Sequence, residues 1–277
     1  MDKITGKFLR YPEKVKRFGE GGLRTKNINK KPKFTLITVV LNNQTLLEKT
    51  IKSVFDQNFK NFEYIIIDGG SNDGTLEIIK KYNDKLDYWL SETDKGIYDA
   101  FNKGLELSKG EYIGIVNSDD TYRPNALKII SSYIDDDKNI DFIFGSVQKR
   151  WGLLSGYKPW KIFFSWGFYS SHSTGFFIKR TAAENVGYYN LKYKYHADYD
   201  YFFRMIVKKK LKGLATKKNE ITGDFRSGGF SSNLKFIDSL KEDFRIRRDN
   251  GQNIILLLFV FLYRYIKNIK KVINWEF

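Results

Sequence analysis

The chain has 277 residues, with 48 Lys/Arg against 32 Asp/Glu, a formal charge of +16, two histidines and no cysteine. That length suits one large α/β domain, or one domain with an appendage, and is ample for a sizeable core. The missing cysteines exclude disulfides, zinc–thiolate sites and cysteine nucleophiles, and His172 and His196 alone exclude a His-rich metal site.

Residues 1–33 hold eleven Lys/Arg against three Asp/Glu and no apolar run. They read as a basic extension with little core of its own and without signal-peptide character. Phe34–Leu41 is a continuous β-branched run, as in a strand buried on both faces, and Asn42-Asn43 breaks it. Thr45–Phe55 has the apolar spacing of a helix. A second buried strand, Phe62–Ile67, ends at Asp68, and after the turn at residues 69–74 a helix is predicted over Thr75–Tyr82. A strand over Leu86–Leu90, a helix over Gly96–Leu107 and a strand over Tyr112–Val116 follow. This β-α-β-α-β-α-β order predicts a mostly parallel central sheet flanked by helices, with right-handed crossovers.

Each predicted strand ends in polar residues: Asn42-Asn43, Asp68, Glu92–Lys95 and Asn117–Asp120. Ligands of open α/β sheets sit outside the carboxyl ends of the strands, so these clusters predict a nucleotide crevice. The adjacent carboxylates Asp119 and Asp120 repel unless something positive arrives, and a hard divalent cation carrying a phosphorylated ligand suits them. The same tetrapeptide is also good turn chemistry. Other phosphate and metal motifs fail: Gly69 and Gly74 have P-loop spacing, but Thr75 stands where the lysine belongs. No G-x-G-x-x-G follows the first strand, and Asp73 occupies the glycine position of a calcium loop.

Beyond Asp120 a helix is predicted over Ala126–Ile134 and a strand over Asp141–Phe144. Trp151–Phe168 is crowded with aromatics that suit sugar rings, lipid chains or ordinary core filling. His172 lies in HSTGFFI, and Asp198 and Asp200 lie in HADYDYFFRM, a helix running into Lys208–Lys210. The loop from Arg226 to Ser232, with Gly228 and Gly229, has the chemistry of a phosphate contact or of a plain linker. Ile254–Tyr263 is ten unbroken apolar residues, followed by Arg264, Lys267, Lys270, Lys271 and Trp275. Ten are short of the roughly 18 that a spanning helix needs, so the segment is either interfacial or a packing helix. The excess positive charge lies in residues 1–33, 205–219 and 241–277 rather than around the acidic clusters. That pattern argues against nucleic acid and for a catalytic core held near an anionic surface such as a membrane leaflet.

The combined run ITVVLNN, IKSVFDQNFKNFEYIIIDGGSNDGT, SETDKGIYDAFNKG and GEYIGIVNSDD resembles the family 2 glycosyltransferases with the nucleotide-sugar-binding GT-A fold, in the branch that builds bacterial surface polysaccharides. The similarity is strong over residues 34–125 and weaker to about 233. It implies a catalytic domain over 34–233, with a nucleotide-sugar half (34–125) and an acceptor half (126–233); residues 234–277, beyond the resemblance, read as a C-terminal helical, amphipathic segment that is either membrane-associated or packed on the core. It places Thr38 and Asn42 in the nucleotide pocket and Asp68 on the base. Asn117, Ser118 and Asp119 fall on the D-x-D motif, with Asp119 the main ligand of a divalent cation (Mn²⁺ or Mg²⁺) and Asp120 at the donor sugar or behind the metal. Asp198 falls on the general base, His172 on the acceptor side, and Arg226, Gly228 and Gly229 in the loop over the diphosphate. Two departures stand out: Asn117 replaces the first D-x-D carboxylate, and Phe101 stands where many relatives carry a donor-contacting arginine, with Lys95 a substitute cation.

The chemistry implied is transfer of a sugar, from a UDP-sugar or similar donor, to a hydroxyl of a glycan or lipid-linked glycan. A positioned carboxylate takes the acceptor proton while charge on the departing diphosphate is neutralised. One base gives inversion; retention needs a second carboxylate on the donor face, and Asp200, two positions along the helix from Asp198, points elsewhere. The expected location is cytoplasmic, peripheral to the inner face of the cell membrane. A sugar nucleotidyltransferase and a non-catalytic nucleotide-sugar-binding module are the alternatives.

Overall fold

A computed structural model describes residues 17–26, 31–164, 168–226 and 234–269. Its first half is β1 (Arg17–Gly21), β2 (Phe34–Val40), α1 (Leu47–Phe55), β3 (Phe62–Asp68), α2 (Thr75–Lys81), β4 (Tyr88–Glu92), α3 (Ile97–Leu107) and β5 (Tyr112–Ile115). The rest is β6 (Thr121–Tyr122), α4 (Ala126–Asp136), β7 (Phe142–Phe144), β8 (Ser146–Lys149), β9 (Gly152–Leu154), β10 (Phe176–Lys179), α5 (Arg180–Val186), α6 (Ala197–Phe203), β11 (Gly213–Ala215), β12 (Ile221–Phe225), α7 (Phe236–Asp249) and α8 (Ile254–Lys267). The large sheet has the order β1-β4-β3-β2-β5-β10-β7-β11, and a small second sheet has the order β6-β12-β8-β9.

The four predicted strands pair in parallel as β4-β3-β2-β5. The chain therefore reverses its direction of growth between β2 and β5, the position where α/β sheets open a crevice. Alternation along the strands sorts the core. Phe34, Leu36, Tyr64, Ile66 and Tyr112 face one side, under α1, α2 and α4. Ile37, Val39, Ile65, Ile67 and Ile113 face the other, under α3, α5 and α6. Gly104 lets α3 lie close on β2, because a Cβ there would come within 2.5 Å of Ile37 Cγ2.

Two expectations shift. The third buried strand begins at Tyr88 rather than Leu86, because Leu86 N–H closes the turn after α2 on Tyr82 O. The strand continues to Glu92 because Ser91 pairs with Asp68 across the sheet. The basic segment ahead of residue 34 is not all extension: β1 adds an antiparallel edge to β4, and Arg24 pairs with Glu63.

Lys103 of α3 is 2% exposed beneath the end of β4, with Glu92 at 2.9 Å, Asp94 in direct contact and Asp99 at 3.9 Å. Burial pushes the Asp94 carboxyl up to about 6 despite the lysine, with Asp99 and Glu92 adding to the rise. Replacing Lys103 by Met should destabilise the fold by about 3–5 kcal/mol, since it removes the buried ammonium that Glu92, Asp94 and Asp99 share. Urea denaturation at neutral pH measures the loss, and it should shrink as the pH falls through Asp94's raised value and that carboxylate protonates.

Candidate active site

The strand-end loops are lashed together by Asn42 and Asn43. Asn42 takes a left-handed backbone (φ 51°), which Asn tolerates better than most residues. Its N–H donates to Ser71 Oγ (2.8 Å), and its Oδ1 accepts from Asn72 N–H (2.9 Å). Asn43 N–H donates to Thr75 Oγ1 (2.9 Å), and its Nδ2 donates to the Ser118 carbonyl (3.1 Å) and Oγ (3.0 Å). These bonds hold Ser118, and with it Asp119, against the end of β2.

The second sheet completes the cleft. β6 begins just after Asp120 and pairs with β12, so that Asp224 lies opposite Thr121. β12 in turn runs parallel to β8, with Phe225 beside Lys149. Residues distant in sequence thereby gather around the acidic pair. Arg226 N–H donates to Asp120 Oδ1 (2.8 Å), and Arg226 lines a cavity of about 250 Å³ with Asp119, Lys49, Asp224 and Phe225. Burial raises the Asp119 carboxyl, opposed by the charges of Arg226 and His172. Asp120 is fully buried, and burial followed by repulsion from Asp119 pushes it up to about 7. Asn117 Oδ1 and Asp120 Oδ2 are buried without a hydrogen-bond partner.

Asp198 occupies the first turn of α6 and is 6% exposed. The Tyr98 hydroxyl lies 3.1 Å from its Oδ1 but shares its one proton with the Tyr195 carbonyl at 2.8 Å. Tyr169 Oη stands 3.4 Å, and His172 Nδ1 3.5 Å, from Oδ2. Burial pushes the His172 imidazole below its ordinary value, favouring the neutral ring, while Asp198 and Asp119 both pull it upward. His172 thus stands within the fields of both acids. So does Lys149, which senses Asp120 and Asp198; burial lowers its ammonium, which rests 4.0 Å from the centre of the Phe225 ring. Phe225, which lines the cavity beside Asp119, meets the His172 ring at 6.2 Å and carries the Lys149 ammonium over its face, and His172 reaches on to Asp198, so these side chains form a chain of contacts from the acidic pair to Asp198. Asp200 points away: its Oδ2 accepts from Arg204 Nε (2.9 Å) and its Oδ1 from Asn250 Nδ2 (2.8 Å).

Two of the remaining sequence candidates, Thr38 and Asp68, are buried. Thr38 is fully buried on the α1 side of the sheet, its hydroxyl 2.8 Å from Tyr64 Oη, because alternation along β2 turns it into the core. Asp68 is likewise buried, its carboxylate accepting from Ser71 N–H and from the hydroxyls of Ser71 and Ser91. Lys95 is exposed and gives its backbone N–H to Asp99 at the head of α3 (2.9 Å). Phe101 is core, 1% exposed. Gly228 and Gly229 lie outside the described residues. Lys149 is the site residue that sequence reading missed.

The glycosyl transferase family 2 model matches residues 35–212. The chain therefore belongs to that family, and its mixed sheet is of the GT-A type. A PGL/p-HBAD biosynthesis glycosyltransferase of Mycobacterium tuberculosis is 30% identical over 182 residues, covering 62% of this chain and 69% of that one. A GalNAc(5)-diNAcBac-PP-undecaprenol β-1,3-glucosyltransferase of Campylobacter jejuni is 35% identical over 103 residues, 36% of this chain and 33% of that one. Among solved structures, Staphylococcus aureus TarS 1-349 in complex with UDP-GlcNAc superposes with a TM-score of 0.64 at 17% identity, over 85% of this chain and 73% of that one. The chain is a glycosyltransferase, which leaves the nucleotidyltransferase alternative without support.

Proposed function

We propose that this glycosyltransferase moves a sugar from a UDP-sugar to a hydroxyl of a glycan or lipid-linked glycan, with inversion, in cell-surface polysaccharide synthesis. The observation that supports the reading is the cluster in which Phe225, lining the Asp119 cavity, meets His172 and Lys149, with His172 reaching on to Asp198. The UDP-GlcNAc complex of TarS favours a uridine donor, and the name of the Campylobacter relative favours a lipid-linked acceptor.

In this reading the acceptor hydroxyl lies against Asp198. The contacts of that carboxylate are a shared Tyr98 hydroxyl, a long Tyr169 hydroxyl and His172 Nδ1 at 3.5 Å, which leave it lone-pair capacity to take the proton as the hydroxyl attacks the anomeric carbon. The bond to the nucleoside diphosphate breaks on the opposite side, and the configuration inverts. Asp200 is committed to Arg204 and Asn250, so it does not serve as the second carboxylate of a covalent intermediate. Lys149 and Arg226 offer positive charge to the departing diphosphate.

The donor set also fits a hard cation. Asn117 Oδ1 and Asp120 Oδ2 are unpartnered buried oxygens on either side of Asp119. Among the described residues no three His, Cys, Asp or Glu side chains form a ready cage. A Mn²⁺ or Mg²⁺ held here by Asp119, with Asp120 and Asn117 beside it, would complete its shell from phosphate and water oxygens. When bound it neutralises charge on the diphosphate.

Incubating the protein with a panel of UDP-, GDP- and dTDP-sugars and measuring released nucleotide tests the reading. A UDP-sugar should be turned over fastest, and ¹H NMR of the transferred product should show the opposite anomer. Equal indifference to every donor, or retained configuration, would overturn it. The expected cytoplasmic, inner-face location belongs to the same proposal.

A further inference from the structure

We propose that α8, together with the aromatic turn at Trp160–Phe164, is a docking face for an anionic lipid bilayer, holding the enzyme on the membrane without crossing it. This deepens the inner-face placement above, and its test reads binding alone.

Helix α8 is stitched to the body along one side only. Leu257 and Val260 are buried, Phe261 packs edge-on to Phe244 of α7 (5.3 Å), and Arg264 pairs with the buried Asp243. The other side carries Ile255, Leu258, Phe259, Leu262 and Ile266, all exposed, Ile255 by 75%. Their spacing keeps them on one stripe of the helix. No described helix is long and apolar enough to cross a membrane, and at 14 residues α8 spans only about 21 Å. An apolar stripe on so short a helix suits the interface plane.

A second element stands at its foot. The Phe163 carbonyl accepts from Arg247 Nη1 (2.7 Å) and from Gln252 Nε2 (3.0 Å), which ties the 159–163 turn to the α7–α8 junction. That turn exposes Trp160, by 60%, and Phe164, packed edge-on to each other at 6.1 Å. Tryptophan beside lysine is the composition of a membrane–water boundary.

Charge selects the occupant. The sequence holds no Asp or Glu between residues 142 and 183, nor between 250 and 275. The first stretch contains Lys158 and Lys161; the second contains Lys267, Lys270 and Lys271. A second copy docked on this face would set Lys158, Lys161 and Lys267 against their own counterparts. Anionic headgroups would neutralise them while acyl chains cover the stripe.

The test is co-sedimentation of the full chain with vesicles of phosphatidylcholine alone and of phosphatidylcholine with phosphatidylglycerol. The protein should bind the anionic vesicles, bind the neutral ones several-fold less, and be loosened by added salt. Leu258→Asp with Phe259→Asp should weaken partitioning on the order of 100-fold, and Trp160→Ala should weaken it several-fold; circular dichroism should show both variants folded. Three results would overturn the proposal: no binding to anionic vesicles, the aspartate pair binding like wild type, or a dimer that the pair disperses while vesicles bind nothing. None of these depends on which sugar, if any, is transferred.

Discussion

Asp198→Asn should lower turnover about 10²–10⁴-fold, the usual range for removing a general base, while leaving UDP affinity within a few-fold of wild type. The substitution keeps the size of the side chain, and the Tyr98 hydroxyl can still approach Oδ1. What disappears is the ability to take a proton from a hydroxyl that is a poor nucleophile at neutral pH. In the proposed arrangement Asp198 serves the acceptor and Asp119 the donor, so donor binding should not register the change. Steady-state kinetics with isothermal titration of UDP separates the two effects. Asp200→Asn is the control. Its carboxylate is 3% exposed and paired with Arg204 and Asn250, so its loss should appear in thermal stability, in keeping with a broken buried pair. Wild-type turnover in Asp198→Asn would place the base elsewhere.

The framework of the fold was legible because its strands are continuous apolar runs that stop at polar residues. Phe34–Val40, Phe62–Asp68 and Tyr112–Ile115 each match expectation to within a residue at either end. The acidic cluster was legible for the same reason, since two carboxylates at a strand end are costly without a partner. Thr38 shows where motif position outran physics. It shares the parity of Phe34 and Leu36, and period-two alternation alone would have sent it into the core with them. Lys149 shows the opposite gap. Nothing in VQKRW announces a site; the lysine arrives through the pairing of β8 with β12, a register between residues some 76 apart. The fates of Asp68 and Lys103 likewise depend on partners contributed by other strands and loops. The role of Ile254–Tyr263 hung on which face α8 buries, which only packing against α7 decides.

Asp119→Asn should remove cation-dependent UDP binding. Loss of an outer partner of a metal ligand costs about 10–100-fold in affinity, so loss of the carboxylate that faces the cavity should cost at least about 100-fold. The wall it leaves is poor: Asn117 is neutral, and Asp120 is fully buried with one oxygen already accepting from Arg226 N–H. Titrating UDP with and without Mn²⁺ should give a clear enhancement by the ion in wild type and none in the variant. The converse substitution, Asn117→Asp, sharpens the test. It adds a third carboxylate beside Asp119 and Asp120, so the ion-free protein should melt at a lower temperature through repulsion. The rise in melting temperature on adding Mn²⁺ should then exceed that of wild type, because a ligand stabilises in proportion to its affinity for the folded state. A Mn²⁺ response unchanged in both variants would mean that the ion, if the enzyme uses one, is held away from this cluster. The charge on the diphosphate would then fall to Lys149, held over the Phe225 ring by the pairing of β8 with β12, and to Arg226, which lines the cavity beside Asp119.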